Sequence, residues 1–174
     1  MTAQRFVDQL NTQIGNEFAA HQQYLSCAIY YDALTMPRLA ALFYAQAVEE
    51  RAHAMMMVQY LLDRGAEVKI PGVEEPVNEF KTIVEPVALA LEQEQRVSEQ
   101  IHELTRVARE ENDFASEQFM GWFIKEQVEE VAKMSDLLAV VNRAAGDAEK
   151  IEEYVARETG GGLTDPTAPR VAGA

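Results

Sequence analysis

Apolar residues recur at alternating three- and four-residue steps over four long stretches of the chain, the spacing of one buried helical face. The first helix is expected over Ala3–Asp32, turning Leu10, Ile14, Glu17, Tyr24, Ala28 and Tyr31 inward. The second starts at Pro37, with Thr35 as its cap and the proline in its first turn, and stops near Arg64 ahead of Gly65. Its inner face is Leu39, Phe43, Gln46, Glu50, His53, Met57 and Tyr60. The third begins around Thr82–Glu85, tolerates Pro86 in its first turn, and faces inward with Val87, Leu91, Glu94, Val97, Ile101 and Leu104. The fourth, capped by Asn112 or Asp113, runs to about Ala145 and presents Met120, Phe123, Gln127, Glu130, Met134, Leu137 and Val141. A short fifth helix over Asp147–Glu158 gathers Ile151, Tyr154 and Val155 on one side.

Glycine and proline sharpen these boundaries. Both are absent from 16–36, 38–64, 87–120 and 122–145, and they crowd into 64–76 and 160–174. Gly15, inside the first helix, costs about 1 kcal/mol in propensity against alanine. No window alternates with the two-residue period of a strand, so the fold class is all-α. The links after the first and third helices are short and predict antiparallel hairpins. The middle link, residues 65–81, is long enough to run the length of a bundle, which makes the second and third helices parallel. A four-helix bundle with one long crossover follows. Residues 1–158 form one domain, and the Gly-, Pro- and Ala-rich 159–174 are expected to be a disordered tail.

Composition narrows the function. The 174 residues carry 15 Lys+Arg against 29 Asp+Glu, a formal charge of −14. Such a chain does not suit a nucleic-acid backbone as partner, and does suit the attraction of metal cations. A single cysteine, Cys27, excludes an internal disulfide and a thiolate metal site. No apolar run nears the roughly 18 residues of a membrane span, and no secretory h-region opens the chain. A protein of the reducing cytoplasm is expected.

The chemistry lies in what interrupts the apolar faces. Glu17, Glu50, Glu94 and Glu130 sit at inward positions, one on each long helix, and His53 lies three residues after Glu50 on the same face. A buried ionised carboxylate costs several kcal/mol, and four together repel one another unless cations intervene. Carboxylates with one imidazole suit iron or manganese. Glu from two helices with Glu-x-x-His from the others is the di-iron carboxylate pattern; here only the second helix has the full pair, and the fourth has Gln127 and Glu130. Tyr24 shares the Glu17 face and reads equally as core or as a partner of the site. Trp122 and Met55–Met57 read as packing, and His21 and His102 as surface histidines. Glu49, Glu126 and Glu129 flank the inner set, and the spacing alone fits a third metal position or a solvated acidic face.

The motifs N-E-F-x-A-x-x-Q-Y (16–24), A-V-E-E-R-x-H-A (47–54), E-Q-E (92–94) and Q-F-M-x-W-F-x-x-E-Q-x-E-E (118–130) resemble the ferritin family, and within it the non-haem bacterial ferritins. That resemblance covers about residues 5–158. It implies a ferroxidase centre in which Glu17, Glu50 and His53 hold one iron and Glu50, Glu94 and Glu130 the other. Gln127 and Tyr24 would support them, and Glu49, Glu126 and Glu129 would form a third iron site. It further implies O2 or hydrogen peroxide as oxidant, a ferric mineral, a hollow homo-oligomeric 24-subunit cage and a fifth helix at a symmetry axis. Arg51 stands where the related bacterioferritins carry a haem-ligating methionine, so no haem is expected, and neither is a nucleic-acid or membrane partner. A discrete di-iron or di-manganese enzyme that stores no metal is the alternative reading. A metal-free helical interaction protein would have to carry the buried carboxylates unaided.

Overall fold

The computed structural model describes residues 2–144, 146–158 and 165–173. Five helices follow in order: α1 Gln4–Ala33, α2 Pro37–Asp63, α3 Val84–Glu110, α4 Phe114–Ala144 and α5 Ala148–Glu158. No strand occurs among the described residues. The bundle is all-α, with α1/α2 and α3/α4 as hairpins and a long crossover between α2 and α3. The expected fourth-helix end at Ala145 lies outside the described residues.

The crossover runs along α1, and buried polar residues of α1 satisfy its extended backbone. Asn11 accepts from the Lys69 N–H at 2.6 Å and donates to the Glu67 carbonyl at 2.9 Å. Gln23 accepts from the Val77 N–H at 2.8 Å and donates to its carbonyl at 3.0 Å. Farther along, the Tyr31 hydroxyl donates to the Ile83 carbonyl at 2.7 Å. Gly15 belongs to this packing: a Cβ there would stand 2.5 Å from Pro71 Cγ. Its propensity cost is the condition for the crossover's close approach to α1.

Each long helix ends on a residue in the left-handed region. Gly65 (φ 64°) and Gly146 (φ 83°) do so without a Cβ, whereas Asn112 (φ 55°) and Thr35 (φ 60°) do so with one. After α1, the Met36 N–H bonds the Tyr31 carbonyl at 3.0 Å and the Thr35 N–H bonds the Asp32 carbonyl at 3.0 Å, a Schellman closure. Thr35 is therefore the stop of α1 and not the cap of α2. The three-residue hairpin leaves no further residue to do that work. Glu152 of α5 does it instead, accepting from the N–H groups of Arg38 at 2.9 Å and Leu39 at 2.8 Å. Asp113 caps α4 as expected, accepting from the Ser116 N–H at 3.3 Å.

Two apolar clusters fill the bundle, one toward each end. Phe6, Leu10, Ile14, Met57, Leu61, Ile101, Met120 and Phe123 belong to one. Tyr24, Tyr31, Leu39, Phe43, Val87, Met134, Leu137 and Val141 belong to the other. Ile151 and Val155 of α5 are buried in this second cluster, so the apolar face of the fifth helix covers its own bundle rather than standing free for a symmetry-axis contact. Leu91, expected inside, is half-buried at the edge.

The described part of the C-terminal segment departs from the expected disorder. Arg170 pairs with Asp63 at 2.7 Å, the Ala172 N–H bonds the Met55 carbonyl at 3.1 Å, and Asp165 accepts from the Trp122 indole at 3.1 Å. Ala168, Val171 and Ala172 pack against the first cluster. Composition misleads here because a few anchors and small apolar side chains suffice to hold an extended segment on a preformed surface. Residues 159–164 and 174, also expected to be disordered, lie outside the described residues.

Two substitutions should move stability in opposite directions. Thr35→Gly removes a β-branched residue from the left-handed region, where an L side chain costs about 1–2 kcal/mol, and should raise Tm by a few degrees. Gly15→Ala, which improves helix propensity, should lower Tm by displacing Pro71. Thermal unfolding of both variants checks this; a Tm rise for Gly15→Ala would refute the crossover packing.

Candidate metal centre

Between the two apolar clusters lies a polar layer. Glu17 of α1, Glu50 and His53 of α2, Glu94 of α3 and Glu130 of α4 all point into it, each no more than 3% exposed. The packing brings together a first group: ligand atoms of Glu17, Glu50 and His53 lie within 4.8 Å of one another. His53 Nδ1 is 3.3 Å from Glu50 Oε2 and 4.0 Å from Glu17 Oε2. The ring is held edge-on by Trp122 and Phe123, with centroids 5.7 and 5.8 Å away.

Glu94 and Glu130, on the other side of Glu50, are each tethered. The Tyr24 hydroxyl donates to Glu94 Oε1, and Gln127 Nε2 donates to its Oε2 at 3.1 Å. Gln46 Nε2 donates to Glu130 Oε2 at 2.7 Å, while Lys133 Nζ donates to Glu130 Oε1 at 3.3 Å and also to Gln46 Oε1. On the first side, Gln13 Nε2 donates to Glu17 Oε1 at 2.8 Å. Glu17 Oε2 has no hydrogen-bond partner. A buried carboxylate oxygen left without a donor costs free energy, and a cation between it, Glu50 and His53 would remove that cost. The donor set, oxygen-rich with one imidazole, fits iron.

Electrostatics agree. Burial first, and then the neighbouring Glu50, pushes the Glu17 carboxyl well above its ordinary range. Burial and then Glu94 do the same to Glu50. Burial raises Glu130 to about 7, opposed by Lys133. A divalent ion entering here displaces protons, since it must find carboxylates and not carboxylic acids.

A second, more exposed group lies beside the first. Glu49, His53 and Glu126 also offer ligand atoms within 4.8 Å of one another. Burial raises the Glu126 carboxyl. Glu129, expected to belong here, instead turns its 61%-exposed side chain to Lys125 at 3.8 Å. A cavity of about 690 Å³ opens over this group, lined also by Trp122, Lys133 and the C-terminal residues Asp165 and Ala168.

Sequence reading placed Tyr24 and Gln127 beside the site, and the structure puts both on Glu94. It missed Gln13, Gln46 and Lys133. A signal existed for two: Gln13 precedes Glu17 by four residues and Lys133 follows Glu130 by three, helical spacings that bring side chains together, whereas Gln46 reaches across to Glu130 of α4. Trp122, taken as packing, is in contact with His53. His21 Nδ1 lies 2.6 Å from the Ala47 carbonyl oxygen, away from either group.

Known proteins are similar to this chain in sequence and fold. A family profile, the Ferritin-like domain, matches residues 7–144. The chain is 53% identical over 169 residues to "Ferritin BfrB" of Mycolicibacterium smegmatis, covering 97% of this chain and 93% of that one. It is 32% identical over 154 residues to "Bacterial non-heme ferritin" of Staphylococcus aureus, covering 88% and 93%. Among solved structures, the open-pore ferritin of Archaeoglobus fulgidus superposes with a TM-score of 0.87 at 32% identity, covering 90% of this chain and 97% of that one.

The raised carboxyls set a pH dependence. Glu130 ionises near 7 in the fold and near its ordinary 4.5 when unfolded. Its contribution to the stability of the metal-free protein is complete below about 4.5 and is lost as pH rises through about 7. The Tm of chelator-treated protein should therefore fall across that window, and Glu130→Gln should flatten the fall. Parallel Tm–pH curves for the two proteins would contradict the burial argument.

Proposed function

The chain belongs to the ferritin family, and on that premise we propose that Glu17, Glu50, His53, Glu94 and Glu130 form its ferroxidase centre, with Glu50 shared between two irons. The protein is an iron-storage protein with ferroxidase activity, a subunit of a hollow protein cage. The observation that carries the site assignment is Glu17 Oε2, buried and without a donor, 4.0 Å from His53 Nδ1 in a layer of four glutamates. A buried carboxylate oxygen without a donor is costly, and a cation bound there would supply the missing partner.

Iron is substrate and cargo in this reading. Two Fe(II) held side by side supply one electron each to an oxidant that takes two: O2 with two protons becomes hydrogen peroxide, or peroxide with two protons becomes two waters. The protons released from Glu17 and Glu50 as iron binds are available for that reduction. Tyr24 and Gln127 hold Glu94 so that its carboxylate reaches the second iron in one orientation. Glu49, Glu126 and Glu129 form the accessory site, the first two already placed beside His53 and the third reaching it by leaving Lys125. The half-exposed accessory group, facing the cavity, gives oxidised iron a set of ligands on its way to mineral.

The subtype we assign is the non-haem bacterial one. Arg51 supports it: the exposed residue after Glu50 is a cation without a ligand atom for haem iron. The reading extends to a 24-subunit cage, O2 or hydrogen peroxide as oxidant, a cytoplasmic location, no nucleic-acid or membrane partner, and residues 1–158 as the domain to which 159–174 is appended. No helix among the described residues is long and apolar enough to cross a membrane.

Aerobic addition of Fe(II) to purified apoprotein should leave far more soluble iron per subunit than the two a di-iron site holds. A ceiling of two would replace storage with discrete di-iron chemistry. Glu50→Ala should abolish rapid oxidation, followed by absorbance, while size exclusion shows an unchanged assembly. Wild-type kinetics in that variant would sink the site assignment.

A further inference from the structure

Lys133 occupies a place that a metal-binding layer has reason to keep free of cations. Its ammonium lies 3.3 Å from Glu130 Oε1 and 3.9 Å from Glu49, and it donates to Gln46 Oε1. Among the described residues no other lysine or arginine lies within ion-pair distance of Glu17, Glu50, Glu94 or Glu130. Both oxygens of Glu130 are engaged, Oε2 by Gln46 and Oε1 by Lys133. Each oxygen keeps a second lone pair, so the neutral amide bond can persist when a metal binds, as at Glu94, whereas the Lys133 ammonium opposes the metal by its charge. Gln46 is 1% exposed and locked in the layer, whereas the Lys133 side chain is 40% exposed at the cavity. Lysine is a point charge on a flexible four-carbon stem, suited to leaving without disturbing the helix that carries it.

We propose that the Lys133 ammonium is a resident stand-in for the second iron, paired with Glu130 in the metal-free centre and displaced into the cavity when iron binds, so that it sets the affinity of the second position. The inference rests on the two-iron reading above. It makes the two positions unequal by construction. The Glu17–Glu50–His53 group has no competing lysine or arginine and fills first. The Glu50–Glu94–Glu130 group must exchange one cation for another, and an ammonium left in place would repel the incoming ion. Glu49, at the cavity edge, offers the displaced ammonium a new partner. A second position held weakly in this way also empties readily after oxidation, when the ammonium can return.

Anaerobic titration with Co(II), which binds without being oxidised, tests this by calorimetry. A Glu126→Ala parent removes the accessory group from the count. That parent should bind two Co(II) per subunit, the second more weakly. Adding Lys133→Met should tighten the second position about tenfold, the scale on which partners of metal ligands act, and leave the first unchanged. Adding Lys133→Arg, which keeps the charge, should leave the second position weak. Where Lys133→Met fails to assemble, as judged by size exclusion and Tm, Lys133→Gln carries the same expectation. A second position unchanged or weakened in the lysine-free variants overturns the proposal and makes Lys133 a prop for Glu130. A parent that does not bind two Co(II) per subunit overturns the two-iron reading, and this inference with it.

Discussion

Four glutamates buried in one layer of a helical bundle are the constraint around which this molecule is organised. Burial makes Glu17, Glu50 and Glu130 poor anions, and proximity makes the four worse neighbours. The metal-free chain answers in three ways: it keeps carboxyls protonated, ties them with the amides of Gln13, Gln46 and Gln127 and the hydroxyl of Tyr24, and brings in one ammonium, Lys133. None of the amides, the hydroxyl or the ammonium reaches Glu17 Oε2. That remaining oxygen, with Glu50 and His53 beside it, defines where an incoming cation does most good. A cation bound there would resolve an electrostatic conflict built into the fold.

Such a layer works only if the helices that carry it cannot slide. The two apolar clusters grip the bundle above and below the glutamates. The crossover acts as a further brace, read off by Asn11, Gln23 and Tyr31 along one side of α1 and admitted by the missing side chain of Gly15. Glu152 ties α5 to the start of α2, the helix that carries both Glu50 and His53. Groups that must bind a metal in fixed geometry gain from being mounted on rigid elements supported by a second tier of hydrogen bonds, and this scaffold supplies both.

The accessory group differs from the inner one in solvation rather than in residue type. Glu49 and Glu126 are half-buried and border an open cavity, so water competes there as it does not in the layer. The C-terminal segment lines the same cavity through Asp165 and Ala168, held by Trp122, Lys125 and Asp63. The Asp165 carboxylate is engaged by the Thr167 hydroxyl and N–H, an indole and an ammonium, which keeps its pKa well below the ordinary range. One side of the bundle is therefore dry and selective, and the other wet and acidic.

The amino-acid sequence by itself determined the five helices, to within a residue or two at most ends, the crossover, and the inward positions of Glu17, Glu50, His53, Glu94 and Glu130. It did so because each rests on local physics: helical period, glycine and proline placement, and the strangeness of a glutamate on an apolar face. Tertiary structure decided what depends on which elements meet. Thr35 looked like a cap because threonine caps well, but the length of the hairpin made it a helix stop and gave the capping to Glu152, 114 positions beyond Arg38. Gly15 looked like a defect until Pro71 passed over it. The terminal segment looked unstructured because its order comes from a surface that four helices build elsewhere. Gln46 of α2 became a partner of Glu130 and of Lys133, 87 positions away, only when α2 and α4 packed, and no pattern along one chain announces a meeting between two helices.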